Sequence, residues 1–165
     1  MNVIKLITGA HNRALTLASN LNWVAPLVAR ITLGVLFVST GWGKVHDLDK
    51  VTGFFTDLGI PAPHLNAVMV SFVELFGGSL LLIGLASRLA ALPLMASMAV
   101  AILTAQREQV SGLPDLFGLV EWTYLALLLW VALSGPGKLS LDHLLFGRAR
   151  AASSHAFSEP SLINQ

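Results

Sequence analysis

Long apolar runs, separated by short polar segments, dominate the chain. The first run, Val24 to Val45, has Pro26 near its start and is closed by Lys44, His46 and Asp47. A polar stretch follows from His46 to His64, with Asp47, Asp49, Lys50 and Asp57, and ends on Gly59-Ile60-Pro61-Ala62-Pro63, which is read as a rigid turn because proline cannot continue a helix. The second run, Leu65 to Ala86, is broken only by Asn66, Ser71, Glu74 and Ser79. After Ser87-Arg88 the third run, Leu89 to Ala105, begins at once, so the second and third runs must form an antiparallel hairpin. A second polar loop, Gln106 to Asp115, leads into the fourth run, Leu116 to Ser134, which stops at Gly135-Pro136-Gly137.

A membrane-spanning helix needs about 20 apolar residues. The four runs, about 24–45, 65–86, 89–105 and 116–134, therefore predict an all-α, integral membrane antiparallel four-helix bundle occupying residues 23–146. Residues 1–22 are read as an N-terminal leader with no cleavable signal pattern; Val3, Ile4, Ile7, Ala10, Ala14, Leu17 and Leu21 recur at helical spacing, as in an interfacial helix. Residues 147–165, rich in Ser and Ala, are read as a disordered C-terminal tail.

Composition agrees with the pattern: 55% of residues are hydrophobic and 12% charged, against about 25% charged in soluble domains. The net charge of +1 offers no basic surface for nucleic acid. The chain has no cysteine, so it carries no disulfide, thiolate metal ligand or thiol redox chemistry of its own. Basic residues set the direction. With both ends cytoplasmic, that side holds Lys5, Arg13, Arg30, Arg88, Lys138, Arg148 and Arg150, and the other side only Lys44, Lys50 and Arg107. This bias predicts cytoplasmic N- and C-termini.

Charges inside membrane spans are costly and point to function or to a partner. Glu74 and Glu121, in spans two and four, fall at similar depth at about 1.5 Å per residue, towards the outer side, where Lys44 ends span one. Arg30, Gly34, Phe37, Gly41 and Lys44 share one helical face, as do Glu74, Gly77, Gly78, Leu81, Gly84 and Arg88 on the second span. Glycines so spaced let backbones approach closely, so spans one and two are expected to pack glycine to glycine with Glu74 turned inward. Glu74, Glu121 and Lys44 are then the candidate catalytic residues of a polar pocket, and Trp42, Lys44 and Glu74 the candidate cofactor-binding residues. The same charges could instead be interhelical ion pairs without a ligand, and Trp42 could be a membrane-interface anchor. His46 and His64 flank the outer loop, but no histidine pair on facing helices supports haem or a metal.

Several segments together resemble the DoxX family of small bacterial membrane proteins. They are Arg30-Ile31-Thr32-Leu33-Gly34 with Phe37 and Gly41-Trp42-Gly43-Lys44, then Phe54-Phe55 with Leu58-Gly59-Ile60-Pro61-Ala62-Pro63. Glu74-Leu75-Phe76-Gly77-Gly78, Gly84-Leu85-Ala86-Ser87-Arg88-Leu89-Ala90-Ala91 and Gly135-Pro136-Gly137-Lys138-Leu139-Ser140-Leu141-Asp142 complete the series, which covers about Ala29 to Leu145. The resemblance implies a four-helix fold in the bacterial inner membrane. It also implies an association with membrane redox systems, some members carrying an oxidoreductase designation and others being described as anchors for soluble redox enzymes.

The expected function is accordingly quinone binding within the bundle beside a membrane redox system. Lys44 would bind a carbonyl oxygen, Glu74 and Glu121 would exchange protons, and Trp42 would bound the ring. The expected partners are the lipid bilayer, a soluble oxidoreductase or another membrane redox subunit, and a second copy of the chain in a homo-oligomer. Two alternatives stand beside it: a noncatalytic anchor that recruits a soluble oxidoreductase, and a small-molecule or proton transporter using the same carboxylates.

Overall fold

The computed structural model describes residues 23–135, 137 and 139–145, together with scattered positions between 7 and 21. Residues 1–6, most of the leader and the tail from 146 onward lie outside the described residues, as do the expectations made for them. Among the described residues the chain is all-helical, with no strand.

Helix α1 spans Val24–His46, with Pro26 in its first turn and Lys44 and His46 in its last. There the Lys44 ammonium faces the negative end of the helix dipole. A single residue, Asp47, separates it from α2, Leu48–Asp57. The polar stretch read as a loop therefore contains a helix. Its cause is visible in the spacing: Val51, Phe54, Phe55 and Leu58 recur at i, i+3, i+4 and i+7 and give the segment an apolar face despite its charges. Gly59, at φ +69°, ends it by donating its N–H to the Thr56 carbonyl.

Pro63 opens α3, Pro63–Ile83, which Gly84 terminates in the left-handed conformation at φ +72°. Helix α4, Ser87–Leu103, runs back immediately and carries Pro93 in its interior. A 3₁₀ turn, Arg107–Gln109, leads to the short α5, Leu113–Gly118, and then to α6, Val120–Ser134. The fourth apolar run is thus divided at Leu119, whose extended backbone (φ −71°, ψ 138°) interrupts it.

Helices α1 and α3 are each long and apolar enough to cross a membrane, while α4 and α6 are shorter apolar helices. Packing runs α1 on α3, α3 on α4, α4 on α6 and, more lightly, α6 on α1. Leu33, Phe37, Leu81, Leu94, Leu128 and Val131 fill the centre of this arrangement. The outer faces remain apolar: Val35 on α1, Phe76 on α3, Leu89 on α4 and Leu133 on α6 are all exposed.

The α1–α3 contact is nearly backbone to backbone. A Cβ added at Gly34 would lie 3.0 Å from the Gly78 carbonyl oxygen, and one at Gly78 would lie 2.7 Å from the Val38 nitrogen. At Gly41 it would collide with the backbone of Glu74 and Leu75. The expected glycine-to-glycine packing is therefore the geometry found at Gly34 and Gly78, and at Gly41 glycine meets bare helix backbone.

At the opposite end from α2, the closing element ties the helices together. Gly135 and Gly137 take positive φ (+84° and +80°) and turn the chain back beneath the α3–α4 connection. There the Asp142 carboxylate accepts the Ala86 N–H at 2.8 Å and the Ser87 N–H at 3.3 Å, capping α4, while the Asp142 N–H donates to the Gly84 carbonyl at 3.0 Å. Arg30 donates from Nη2 to the Leu139 carbonyl at 2.6 Å, and Arg88 from Nη2 to the Leu133 carbonyl at 3.3 Å. Arg30 is only 3% exposed, so it is an internal strut of this clasp.

Substituting Gly41 tests the close approach. Gly41→Ala should destabilise the detergent-solubilised protein by about 1–3 kcal/mol through overpacking. Gly43→Ala, where a Cβ would meet nothing within 4 Å, should leave the melting temperature unchanged or slightly raised. Equal melting of the two variants would remove the argument for backbone contact.

Candidate functional site

Lys44 sits in the last turn of α1, one turn beyond Gly41, and Glu74 lies midway along α3. Because Gly41 lets α1 settle on the α3 backbone at Glu74, the lysine side chain reaches the carboxylate directly. Lys44 Nζ donates to Glu74 Oε1 at 2.5 Å. Glu74 is 2% exposed and Lys44 31%. A carboxylate so deeply buried among apolar side chains requires a cation or several donors; here it has one cation on one oxygen. Its second oxygen, Oε2, has no hydrogen-bond partner within the protein. Ser71, one turn before Glu74, does not serve it, since its hydroxyl donates to its own helix at the Ala67 carbonyl, 2.6 Å away.

The pair opens onto a cavity of about 840 Å³. Its walls come from five helices. Leu36, Phe37 and Thr40 belong to α1, Val51, Phe54 and Phe55 to α2, Met69, Val70 and Val73 to α3, Pro93 and Ser97 to α4, and Tyr124 to α6. The cavity exists because α2 lies over the helix ends with its apolar face inward, leaving space beneath it. Phe37 and Tyr124 meet edge to face at 6.3 Å and form part of the inner wall.

Glu121, in the first turn of α6, lines the same cavity. Its Oε1 accepts the Gln106 side-chain amide at 2.7 Å, and its buried Oε2 has no partner within the protein. Gln106 is itself held, because its Oε1 accepts the Gln109 amide at 2.5 Å. The structure thus brings three of the four sequence-derived site residues, Lys44, Glu74 and Glu121, to one cavity. Trp42 is not among them. It is 59% exposed, packs at a tilt against His46 with ring centroids 4.3 Å apart, and is not part of the cavity lining. Among the described residues no three His, Asp or Glu side chains converge as a metal site.

Tyr124, Gln106 and Lys50 also line the cavity and were not singled out from sequence. Tyr124 lies one turn after Glu121, and Gln106 opens the loop before α5, so helical phase from Glu121 would have found the first. Nothing local marks the second, whose role depends on the loop folding back over α6.

Comparison with known proteins places the chain among membrane proteins. The DoxX family model matches residues 25–107. An uncharacterized membrane protein of Mycobacterium tuberculosis is 33% identical over 133 residues, covering 74% of this chain and 82% of that protein. The inner membrane protein YqjF of Escherichia coli is 30% identical over 122 residues, 74% of this chain and 92% of the other. The Bacillus subtilis protein named "Putative oxidoreductase CatD" is 29% identical over 125 residues, 74% and 88% of the two chains. No solved structure matches.

The buried pair generates a double-mutant prediction. Lys44→Met leaves the Glu74 carboxylate buried without its cation and should cost about 1–3 kcal/mol of stability. Lys44→Met combined with Glu74→Gln should recover more than half of that loss. Additive melting shifts in the two single variants and the double variant would mean that the residues are not coupled.

Proposed function

The chain belongs to the DoxX family of membrane proteins, and from that premise we propose that it is a four-span protein of the bacterial inner membrane that binds a quinone-class molecule between its helices. Four spans are supported by the apolar outer faces of all four long helices. Helices α1 and α3 also leave most of their apolar residues at the surface, unlike the mostly buried core helix of a soluble protein. Helix α4, about 25 Å long at 1.5 Å per residue, and α6 preceded by α5 then complete the crossing.

Both termini are assigned to the cytoplasm. The start of α1, the α3–α4 turn and the closing element meet at one end, where a Cβ on Gly137 would touch Pro26 and Arg30 bonds Leu139. With the sequence before α1 and after Asp142 assigned to the same side, seven of the ten Lys and Arg residues fall there, which supports this direction. Because the chain lacks cysteine, single cysteines can report sidedness. Ser111→Cys should react with an impermeant maleimide in intact spheroplast-free cells and Gln165→Cys only after lysis; the reverse pattern would invert the topology.

The observation that carries the quinone reading is the convergence of Lys44, Glu74 and Glu121 on one largely apolar cavity of about 840 Å³. Such a chamber suits an apolar ring with polar edges. Lys44, with two N–H groups left after pairing with Glu74, donates to a ring oxygen, and the two carboxylates can take or return a proton. Phe37, Phe55 and Tyr124 bound the ring in place of Trp42. Electrons enter or leave through a partner, a soluble oxidoreductase or another membrane redox subunit; the designation carried by the Bacillus subtilis relative accords with this.

A short-chain ubiquinone or menaquinone analogue should quench the tryptophan fluorescence of the purified protein saturably. Lys44→Met should weaken that binding about tenfold, equivalent to about 1.4 kcal/mol. Quenching that is linear in ligand, or unchanged in Lys44→Met, would eliminate the site.

A further inference from the structure

The cavity holds two buried polar atoms that the protein leaves without partners, and both are acceptors. Glu74 Oε2 and Glu121 Oε2 each belong to a carboxylate whose other oxygen is already engaged, by Lys44 Nζ and by Gln106 Nε2 respectively. Buried polar atoms in native proteins are nearly always satisfied, by protein groups or by water, so these two acceptors are what any ligand entering the chamber must meet. An ionised carboxylate can only accept hydrogen bonds. Lys44 Nζ engages Glu74 Oε1, which leaves Oε2 as the acceptor open to a ligand. The Glu121 arrangement is equally fixed, because Gln109 donates to Gln106 Oε1 and so keeps the Gln106 amide nitrogen turned towards Glu121.

The two ring oxygens of a quinone are also acceptors only. One of them can take a hydrogen bond from Lys44, but against Glu74 Oε2 or Glu121 Oε2 a carbonyl oxygen sets lone pair against lone pair. A phenolic hydroxyl has no such conflict. At the Glu74 end it can donate to Oε2 while its oxygen accepts from Lys44, and at the Glu121 end it can donate to the second orphan oxygen. From this donor–acceptor balance we propose that the cavity selects the reduced, dihydroxy form of an apolar ring over its oxidised form, with Glu74–Lys44 and Glu121–Gln106 as its two hydroxyl-binding poles. The proposal rests on the cavity being a ring-binding site and adds which oxidation state it holds.

Three probes separate these ideas: an alkyl-substituted 1,4-hydroquinone, the corresponding quinone, and the 1,4-dimethyl ether of the same hydroquinone, titrated anaerobically into the full-length protein by calorimetry. The hydroquinone should bind about tenfold or more tightly than either of the others, since only it brings donors to the two unpartnered carboxylate oxygens. In Glu121→Gln the preference should fall to about twofold, because the amide supplies a donor where the orphan acceptor was. Glu74→Gln should give the same shift, and the Glu121 variant keeps the test decisive where loss of the Glu74 charge unfolds the protein. Quinone or dimethyl ether binding as tightly as the hydroquinone would overturn the selectivity while leaving the ring site intact. Failure of all three probes to bind would remove the ring site, and the selectivity with it.

Discussion

Everything in the site follows from how closely α1 and α3 approach. Glycines at positions 34, 41 and 78 remove the side chains that would hold the two helices apart, and the backbones come into direct contact. In an apolar solvent the helices gain little from hiding hydrophobic surface, so close packing and polar contacts must supply the association. Direct contact also shortens the reach between side chains on either axis. Lys44 can meet Glu74 because Gly41, one turn earlier, rests on the Glu74–Leu75 backbone. The ion pair and the glycine seam are one device: the seam sets the distance, and the pair fixes the register that keeps the seam aligned.

The two ends of the molecule are built differently. At one end, Asp142, Arg30 and Arg88 hydrogen-bond to backbone groups at the α3–α4 turn and in the closing element, so helix ends that would otherwise expose unsatisfied amides and carbonyls are tied off. At the other end α2 spans an unfilled space, and two carboxylate oxygens remain unsatisfied within the protein. A rigid base and an open top are what a binding site needs, because the residues at the top can be held in position without being packed against one another.

The helices and the seam could be read from the chain because both are periodic. Apolar runs bounded by Pro and Gly mark the long helices, and the Gly34, Gly41, Gly77 and Gly78 spacing marks the contact faces. The inward turn of Glu74 followed from the same phase. Less visible was what depends on distant parts of the chain. The sequence puts Arg30 on the Gly34–Gly41 face of the first helix, but nothing there marks the Leu139 carbonyl, 109 residues away, against which it is buried. The break at Leu119 lies inside an unbroken apolar run and leaves no compositional trace beyond Gly118 just before it. Helix α2 was hidden by its own charges, although Val51, Phe54, Phe55 and Leu58 carry the helical period. Trp42 belongs to a segment that turns its ring to the outside, which the phase of Lys44, two residues on, already implies.

The Asp142 clasp also bears on the order in which the protein is completed. The carboxylate that caps α4 is 56 residues downstream of the Ala86 amide it binds. During synthesis all four long helices, and the chain that forms the cavity, emerge before the residue that fastens their ends. The hairpin turn at Gly84 to Ser87 must therefore wait, solvated or frayed, until Asp142 arrives. Assembly becomes a two-stage process, in which insertion is directed by hydrophobic runs and final locking by a single carboxylate that is made after all of them.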